Sequence, residues 1–422
     1  MLGARVSPGS RRLAATVLQI IPRLDTGGAE LATLEIAQAL VESGARALVA
    51  SEGGRLGEAI RKAGGELIAF PAGTKNPLRM WSNGRALARL IANEHIDLIH
   101  ARSRAPAWSA LYAARKTSIP FVTTYHGAYG IGVPLKNAYN SVMARGDRVI
   151  ANSHFTADLI RERHGTGDER LRVIHRGVDL AAFDPAHVTA KRVKALRKEW
   201  GVKDSARVVL HAARLTGWKG QRHVIEAAGL LAARGGLKDV VFILAGDAQG
   251  RETYANELTA MIQSHDLADA LRLVGHCGDM AGAFAAAHIA VVASSEPEAF
   301  GRAAAEAQAM GCPVVATDLG AARETVMARP HVADDAATGW LVEAGKADAL
   351  APALEEALSM GKTQRGLMGA RARRHIVENF SLARMRHRTL GIYDDLLGSG
   401  LAKALEGALG AKRSGGKSTG SP

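Results

Sequence analysis

The chain has 422 residues, of which 47% are hydrophobic and 23% charged, so it has the length and composition of a globular protein with two or three domains. Its two cysteines, Cys277 and Cys312, are too few for a disulfide framework or a cysteine-rich metal cluster, and their apolar surroundings are typical of buried thiols. No apolar run is long enough to cross a bilayer, and we interpret residues 13–21 as a first buried strand rather than a signal peptide.

The net charge of +13 is distributed unevenly along the chain. Residues 1–200 contain 29 Lys and Arg against 17 Asp and Glu, which is +12, whereas residues 201–422 contribute only +1. A basic half predicts that one domain meets an anionic partner, which could be nucleic acid, anionic lipid or a phosphorylated glycolipid. A basic surface that serves only solubility is the alternative, but it leaves the asymmetry unexplained.

The first half alternates short apolar runs with amphipathic runs, which predicts strands followed by helices. Predicted strands cover residues 14–21, 47–50, 66–70, 98–100, 121–125, 148–151 and 172–175. Predicted helices cover residues 29–42, 56–63, 77–93, 105–116, 135–144 and 153–164. This alternation indicates βαβ units and a parallel sheet covered on both faces, in which ligands bind beyond the carboxyl ends of the strands.

The second half continues the same alternation. One predicted strand begins at 208, others lie at 240–245, 271–274, 289–292, 314–316 and 339–342, and the last predicted helices cover 347–360, 363–379 and a segment ending near 397. The loop after the first of these strands carries Arg214 and Lys219 just before a helix. Two cations at this spacing, one of them a fork-shaped guanidinium, suit the two phosphates of a diphosphate.

Residues 294–324 carry the strongest chemical signal in the chain. Glu298 stands in a polar loop, Glu306 lies inside the alanine-rich helix that follows, and Gly311 and Pro313 end that helix. This pattern predicts two carboxylates that accept ligand hydroxyls, with an anion bound at the helix N-terminus. An alanine-rich core helix with two solvated glutamates is the alternative.

This segment resembles the E-x7-E signature of retaining nucleotide-sugar glycosyltransferases of family 4, which have the GT-B architecture. Glu298 and Glu306 occupy the two signature positions, P-E-x-F-G begins the match, and G-x-P-V-V-A-T follows it. The flanking residues make the resemblance specific, because two glutamates at this spacing are common by themselves. The resemblance covers about residues 14–397 and is strongest from residue 208 onward.

Two further motifs match the family with one departure each. The G-R-L-x-x-x-K-G motif matches around Arg214 and Lys219, but Ala213 stands where glycine is usual. The linker motif V-I-x-N-G-V-D matches residues 173–179, but Arg176 replaces the asparagine. Any family role of that asparagine is therefore in doubt here.

The resemblance implies an α/β fold of the GT-B type, in which two Rossmann-like, doubly wound parallel-sheet domains face each other across a cleft. We expect an acceptor-binding domain at 1–185, a nucleotide-sugar-binding domain at 186–380, and a helix at 381–398 that crosses back to the first domain. Residues 399–422 are expected to form a flexible tail, because the segment from 410 is rich in Gly, Ser and Lys.

The resemblance also assigns the candidate site residues. Catalytic roles fall to His126, Glu298, Arg214 and Lys219, and donor binding to Gly27, Gly28, Arg214, Lys219, Gly246, His276, Cys277, Glu298, Phe300, Gly301, Arg302 and Glu306. Glu306 is expected to hold the ribose and Glu298 the sugar. His126, in a T-x-H context, is expected to contact the transferred sugar. Cys277 could be a nucleophile, but a packed thiol beside the base is the preferred interpretation.

The predicted reaction moves a hexose from a nucleoside diphosphate to an acceptor with retention of anomeric configuration. The sequence contains no D-x-D pair of the kind that holds a metal in other glycosyltransferases. We therefore expect no metal and no cofactor, and assign the stabilisation of the leaving diphosphate to Arg214, Lys219 and the helix N-terminus. The cleft should close when the donor binds, because its residues come from both domains.

The basic first half predicts an anionic glycolipid acceptor, with lipopolysaccharide core as the specific guess, and peripheral contact with the inner face of the plasma membrane from the cytoplasm. Three alternative functions are a sugar-nucleotide epimerase of the same fold, a nucleic-acid-binding protein and an NAD-dependent oxidoreductase. An aromatic content of 5% and the lack of a recognised module argue against nucleic acid. The oxidoreductase needs a G-x-G-x-x-G motif that is absent. The nucleotide, the sugar and the oligomeric state stay open.

Overall fold

The protein forms two compact units, which are seen in a computed structural model that describes residues 15–25, 27–129 and 134–415. The first unit comprises the described residues up to Ala151, Arg163–Arg172 and the chain from Arg386 onward, and the second comprises Asn152–Glu162 and Val173–Met385. The predicted first domain ends at 185, whereas in this division residues 152–162 and 173–185 group with the second unit.

The sheet of the first unit has seven strands in the order β3-β2-β1-β4-β5-β6-β7. The strands are β1 (Thr16–Ile20), β2 (Arg46–Ser51), β3 (Glu66–Ala69), β4 (Leu98–Ala101), β5 (Phe121–Tyr125), β6 (Arg148–Ala151) and β7 (Leu171–Val173). The helices of this half of the chain are α1 (Gly28–Glu42), α2 (Gly57–Lys62), α3 (Pro77–Glu94), α4 (Arg104–Thr117), α5 (Pro134–Asn140) and α6 (His154–His164). Pairing among β1 to β6 is parallel, with Val17 opposite both Ala47 and Leu98. The order reverses at β1, which is the doubly wound topology.

The sheet of the second unit has six strands in the order β10-β9-β8-β11-β12-β13, all paired in parallel. The strands are β8 (Arg207–Ala212), β9 (Val240–Ala245), β10 (Leu271–Gly275), β11 (Ile289–Val292), β12 (Val314–Thr317) and β13 (Gly339–Val342). The helices that follow are α7 (Ala190–Glu199), α8 (Gln221–Ala233), α9 (Glu252–Ser264), α10 (Met280–Ala286), α11 (Arg302–Ala309), α12 (Ala322–Thr325), α13 (Ala347–Ser359), α14 (Lys362–Asn379), α15 (Leu382–Leu397) and α16 (Leu401–Gly415). The order reverses between β8 and β11, so the loops after these two strands start side by side.

Both faces of the second sheet are buried, as expected for parallel strands between two layers of helices. Alternate residues of β8 and β9 belong to different core clusters: Val209 and Phe242 lie in one, Val208 and Ile243 in the other. Because successive side chains of a strand point to opposite faces, these clusters are the two sides of the sheet. The largely apolar character of these strands is therefore a consequence of burial on both faces.

The expectation of a flexible tail is wrong for residues 401–415, which form α16. Leu401, Ala402 and Leu405 are buried, and α16 contacts α1 within the first unit. The leucines at i and i+4 give the helix an apolar stripe that the glycines and lysines further along obscured. Residues 416–422 lie outside the described part of the chain. Helix α15 begins in the second unit and belongs to the first from Arg386 onward.

Candidate active site

An ion pair joins the loops after β8 and β11 in the second unit. Lys219 ends a short 3₁₀ turn, and its Nζ lies 2.7 Å from Oε1 of Glu298. Both side chains are mostly buried, at 16% and 17% exposure. The Oγ of Ser294 donates to the same carboxylate oxygen at 2.5 Å. The two predicted residues thus meet because β8 and β11 are neighbours in the sheet.

The surroundings keep Glu298 charged. Burial acts to raise the pKa of its carboxyl group, but the attraction of Lys219 and the hydrogen bonds from Lys219 and Ser294 outweigh burial, so the pKa lies below its usual value of 4.5. The Nζ of Lys219 also lies 4.2 Å from the centre of the Trp218 ring, which adds a cation–π contact. A fixed cation and a fixed anion are therefore available at neutral pH.

A buried histidine on β8 was missed by sequence reasoning. His211 donates from Nδ1 to the backbone oxygen of Val291 at 2.9 Å, and burial lowers its pKa to about 4, with Lys219 and Glu298 acting on the ring from nearby. The ring is consequently neutral at pH 7. A histidine in an otherwise apolar strand before a cationic loop was the available signal, since apolar strands rarely contain one without a local reason.

Helix α11 begins at Arg302, shortly after Glu298 in the chain. Phe300 is buried, Gly301 adopts the left-handed conformation with φ 80° at the N-cap, and the helix runs for eight residues. Glu306 lies inside the helix, where its Oε1 accepts from Nε of Arg302 at 2.6 Å. Arg302, one turn earlier in the helix, therefore already binds the second signature glutamate. A ligand hydroxyl would have to share the Glu306 carboxylate with Arg302.

The loops after β8, β9 and β10 run side by side, because these strands are adjacent. The backbone N–H of Gly246 donates to Gly275 at 2.7 Å, and a Cβ on Gly246 would lie 1.8 Å from the backbone oxygen of Ala213. Arg214 and His276 are exposed here. Burial raises the pKa of the Cys277 thiol, which does not suit a nucleophile at neutral pH.

Three predicted residues belong to the first unit. Gly27 is the N-cap residue of α1 and Gly28 its first residue, whereas Thr26 between Asp25 and Gly27 lies outside the described part. His126 follows β5, at the carboxyl end of the strand. All three thus lie at carboxyl ends of parallel strands. Their participation in one site with Lys219 and Glu298 stays a prediction.

Helix α3 of the first unit has an exposed face that is both basic and apolar. Leu78 is 80% exposed and Trp81 is 54% exposed, and the guanidinium of Arg85 lies 4.9 Å from the centre of the Trp81 ring. Arg79 and Arg89 are exposed on the same helix, which carries no acidic residue before Glu94. The opposite face is buried through Asn83, Gly84, Leu87 and Ile91. None of the described helices is long and apolar enough to cross a membrane.

Comparison with known proteins identifies the family. Residues 26–182 match the profile of Glycosyltransferase Family 4, and residues 193–375 match that of Glycosyl transferases group 1. The crystal structure of a glycosyltransferase from Rickettsia africae ESF-5 is 32% identical and has a TM-score of 0.83, covering 92% of this chain and 100% of that one. The chain belongs to the glycosyltransferases, with a family 4 domain followed by a group 1 domain.

Two further proteins are similar to this glycosyltransferase. The D-inositol 3-phosphate glycosyltransferase of Geodermatophilus obscurus is 31% identical over 67% of this chain, and the match spans only 62% of that relative's length. The Anabaena protein HepE, crystallised with UDP and glucose, is 24% identical with a TM-score of 0.77, covering 90% of this chain and 100% of HepE. At this identity the likeness shows the fold alone, which is the expected GT-B architecture.

Proposed function

We propose that this glycosyltransferase transfers a hexose from a nucleoside diphosphate sugar to an anionic acceptor, with retention at the anomeric carbon. The observation that carries the proposal is the mostly buried pair of Lys219 and Glu298, placed beyond the carboxyl ends of β8 and β11 and in front of α11. Ligands of open parallel sheets bind at such a point of strand-order reversal. The pair offers one group for phosphate and one for sugar hydroxyls.

The charges match the course of the reaction. Negative charge develops on the leaving diphosphate, and Lys219, the exposed Arg214 and the free N–H groups at the start of α11 are the donors for it. When Lys219 turns toward the phosphates, Glu298 loses its partner and becomes an acceptor for sugar hydroxyls. Glu306 would accept hydrogen bonds from the ribose hydroxyls in the same way, once its contact with Arg302 is broken. His126 is the proposed contact to the sugar from the first unit.

We propose a UDP-sugar as the donor, on the ground that HepE, which shares the fold, was crystallised with UDP and glucose. The proposed chemistry uses protein cations and needs neither a metal ion nor another cofactor at the diphosphate. The loop after β10, with His276 and Cys277, would lie beside the base.

The acceptor follows from charge. The excess of +12 in residues 1–200 and the basic, apolar face of α3 favour an anionic glycolipid at the inner face of the plasma membrane, with lipopolysaccharide core as the narrow form of the proposal. A soluble polyol phosphate is the second candidate, because the Geodermatophilus relative is named for inositol 3-phosphate. Both acceptors carry phosphate, so the basic first unit suits either.

The experiment is a transfer assay with UDP-glucose labelled in the sugar. Three reactions run in parallel: no acceptor, inositol 3-phosphate, and membrane lipid extract containing lipopolysaccharide precursors. Label in the lipid fraction supports the glycolipid, and label on the inositol phosphate supports the second candidate. A changed sugar nucleotide without acceptor would indicate the epimerase. A thermal-shift screen with UDP, GDP and ADP sugars beforehand identifies the donor, because a ligand that binds the folded state raises its apparent stability.

A further inference from the structure

Two histidines and a glutamate meet in the second unit, away from the Lys219–Glu298 pair. His154 opens α6, His175 follows β7, and Glu324 lies in α12. One potential ligand atom from each side chain lies within 4.8 Å of the other two. The Nε2 of His175 lies 2.7 Å from Oε2 of Glu324, and the rings of His154 and His175 are 5.2 Å apart between centres. The three residues are far apart in sequence and are assembled by the fold.

Two of the three side chains are held in place. Both oxygens of the Glu324 carboxylate accept backbone N–H groups at the start of α6: His154 donates to Oε2 and Phe155 to Oε1, each at 2.9 Å. The His175 ring packs edge-on against Phe380, with 5.1 Å between ring centres. His154 is exposed and closes the cluster from the solvent side. The arrangement therefore has a rigid base and one adjustable member.

We propose that His154, His175 and Glu324 bind a divalent transition-metal ion, for which Zn²⁺ is the best-suited candidate. Two imidazoles and one carboxylate form a common zinc ligand set, and the exposed side leaves room for water as the fourth ligand. On binding, the ion takes the place of the proton between His175 and Glu324. That proton moves to Nδ1 by a change of tautomer, or to solvent if the ring was doubly protonated.

The ion would brace the segment that carries the first signature glutamate. The backbone N–H of Ala321, just before α12, donates to the backbone oxygen of Glu298 at 2.9 Å, and Glu298 and Gly320 form a short parallel bridge. An ion on Glu324 thus ties this segment to the start of α6 and to the segment that carries His175. The site contains none of the residues assigned to the diphosphate, so it goes beyond the proposed function and does not depend on it.

The positive end of α6 opposes a cation, and this is the main physical argument against the site. The carboxylate of Glu324 offsets the positive helix end, because this carboxylate already accepts hydrogen bonds from the first N–H groups of the helix. The opposing interpretation is that Glu324 is only a cap for α6 and His175 only its partner. The two interpretations differ for the His154 side chain. A metal site needs its imidazole, whereas the cap uses only the backbone N–H of His154.

The test is titration of the full-length, tag-free protein with Zn²⁺ by calorimetry, with Co²⁺ as a spectroscopic probe, at pH 7.5. We expect one equivalent to bind with saturation, and the His154→Ala variant to bind at least about tenfold more weakly. His187→Ala is the matched control, because His187 is also an exposed histidine of the second unit; its affinity should equal that of the wild type.

Equal affinities of the wild type and His154→Ala, or binding without saturation, would overturn the proposal and leave a helix cap. His154 is exposed, so its replacement should not disturb folding, and the melting temperature without metal checks this. UDP-sugar binding by the metal-free protein, measured separately, shows whether the proposed function fails on its own, which keeps the two results apart.

Discussion

Lys219 and Glu298 are 79 positions apart in the chain, yet their side chains form one mostly buried ion pair. A pair of this kind contributes less to stability than its short distance suggests, because both charges have left water. Removing one partner is more damaging than removing both, since the remaining charge is then buried without compensation. Variants of Lys219 and Glu298 can thus distinguish what the pair contributes to stability from what it contributes to turnover.

The Lys219→Met variant should lose about 10²- to 10³-fold in turnover, as expected when one donor to a developing negative charge is removed. It should also lose stability, because Glu298 keeps its charge without a partner. The double variant with Glu298→Gln should recover part of that stability but none of the turnover. Steady-state assays at saturating donor and urea unfolding measure the two effects. Near wild-type turnover of Lys219→Met would contradict the site assignment.

His211 should be neutral throughout the physiological range. Its pKa is lowered from 6.5 to about 4 by burial, so below pH 6.5 the unfolded chain binds a proton that the folded chain does not. The histidine therefore makes the folded state progressively less stable as pH falls from about 6.5 to 4. Ring ¹⁵N chemical shifts at pH 5.5 should show the neutral form for His211, and the protonated form there would contradict its burial.

At the scale of elements, the loops after β8 and β11 pack closely against each other. Gly220 ends the turn that contains Lys219, with φ 77°, and a Cβ there would lie 1.8 Å from the backbone oxygen of Ala293. Ala293 directly precedes Ser294, which donates to Glu298. The turn after β8 and the loop after β11 therefore depend on one glycine for their close approach.

Gly220→Ala should destabilise the second unit by about 1–3 kcal/mol, because the left-handed conformation and the contact with Ala293 both oppose a side chain. Turnover should fall with it as the Glu298 loop shifts. Gly217→Ala in the same turn is the control, since a Cβ there meets nothing within 4 Å. Thermal unfolding of both variants measures the difference, and equal stability would show that the close approach relaxes without cost.

Helix α3 is the element most suited to a membrane surface. Replacing Arg79 and Arg85 by glutamine should weaken binding to vesicles with anionic lipid by about tenfold or more, since each basic residue near such a surface contributes roughly 1 kcal/mol. Salt should release the wild type. Leu78→Ser should weaken binding as well, whereas Leu367→Ser, at a residue 58% exposed in the second unit, should not. Equal binding of the wild type to neutral and anionic vesicles would remove the electrostatic argument.

At the scale of the whole molecule, the two units differ in charge and in the chemistry proposed for them. The donor chemistry is assigned to protein cations in the nearly neutral half, and the anionic acceptor to the basic half. Because protein cations are assigned to the diphosphate, the proposed reaction needs no metal ion there. The proposed ion at His154, His175 and Glu324 is bound by none of the groups that are assigned to the diphosphate.

EDTA should leave turnover unchanged in the wild type, because Lys219, Arg214 and the start of α11 supply the positive charge that a metal would otherwise provide. An indirect effect through the His154 cluster would be absent from the His154→Ala variant. Activity that falls in EDTA in both proteins, and returns with Mg²⁺ or Mn²⁺, would contradict the charge argument.

The sequence determined the elements and the signature positions. Alternating apolar and amphipathic runs predicted the strands of both halves to within a few residues, because burial on both faces and helix amphipathicity leave a periodic pattern. The motif around Glu298 and Glu306 was recognisable because its residues are close together in the chain. The tail was misjudged where composition concealed the apolar stripe of α16.

Tertiary structure alone decided which side chains meet. Strand order placed Lys219 beside Glu298, put His211 close enough for both to act on its ring, and brought His154 and His175 to Glu324 across 170 and 149 positions. Such contacts depend on which strands are neighbours and on how helices return to the sheet. Neither can be predicted from a local sequence pattern. Local propensity can be inferred from neighbouring residues in the sequence, whereas the contacts between the site residues form where distant loops converge at the ends of the strands.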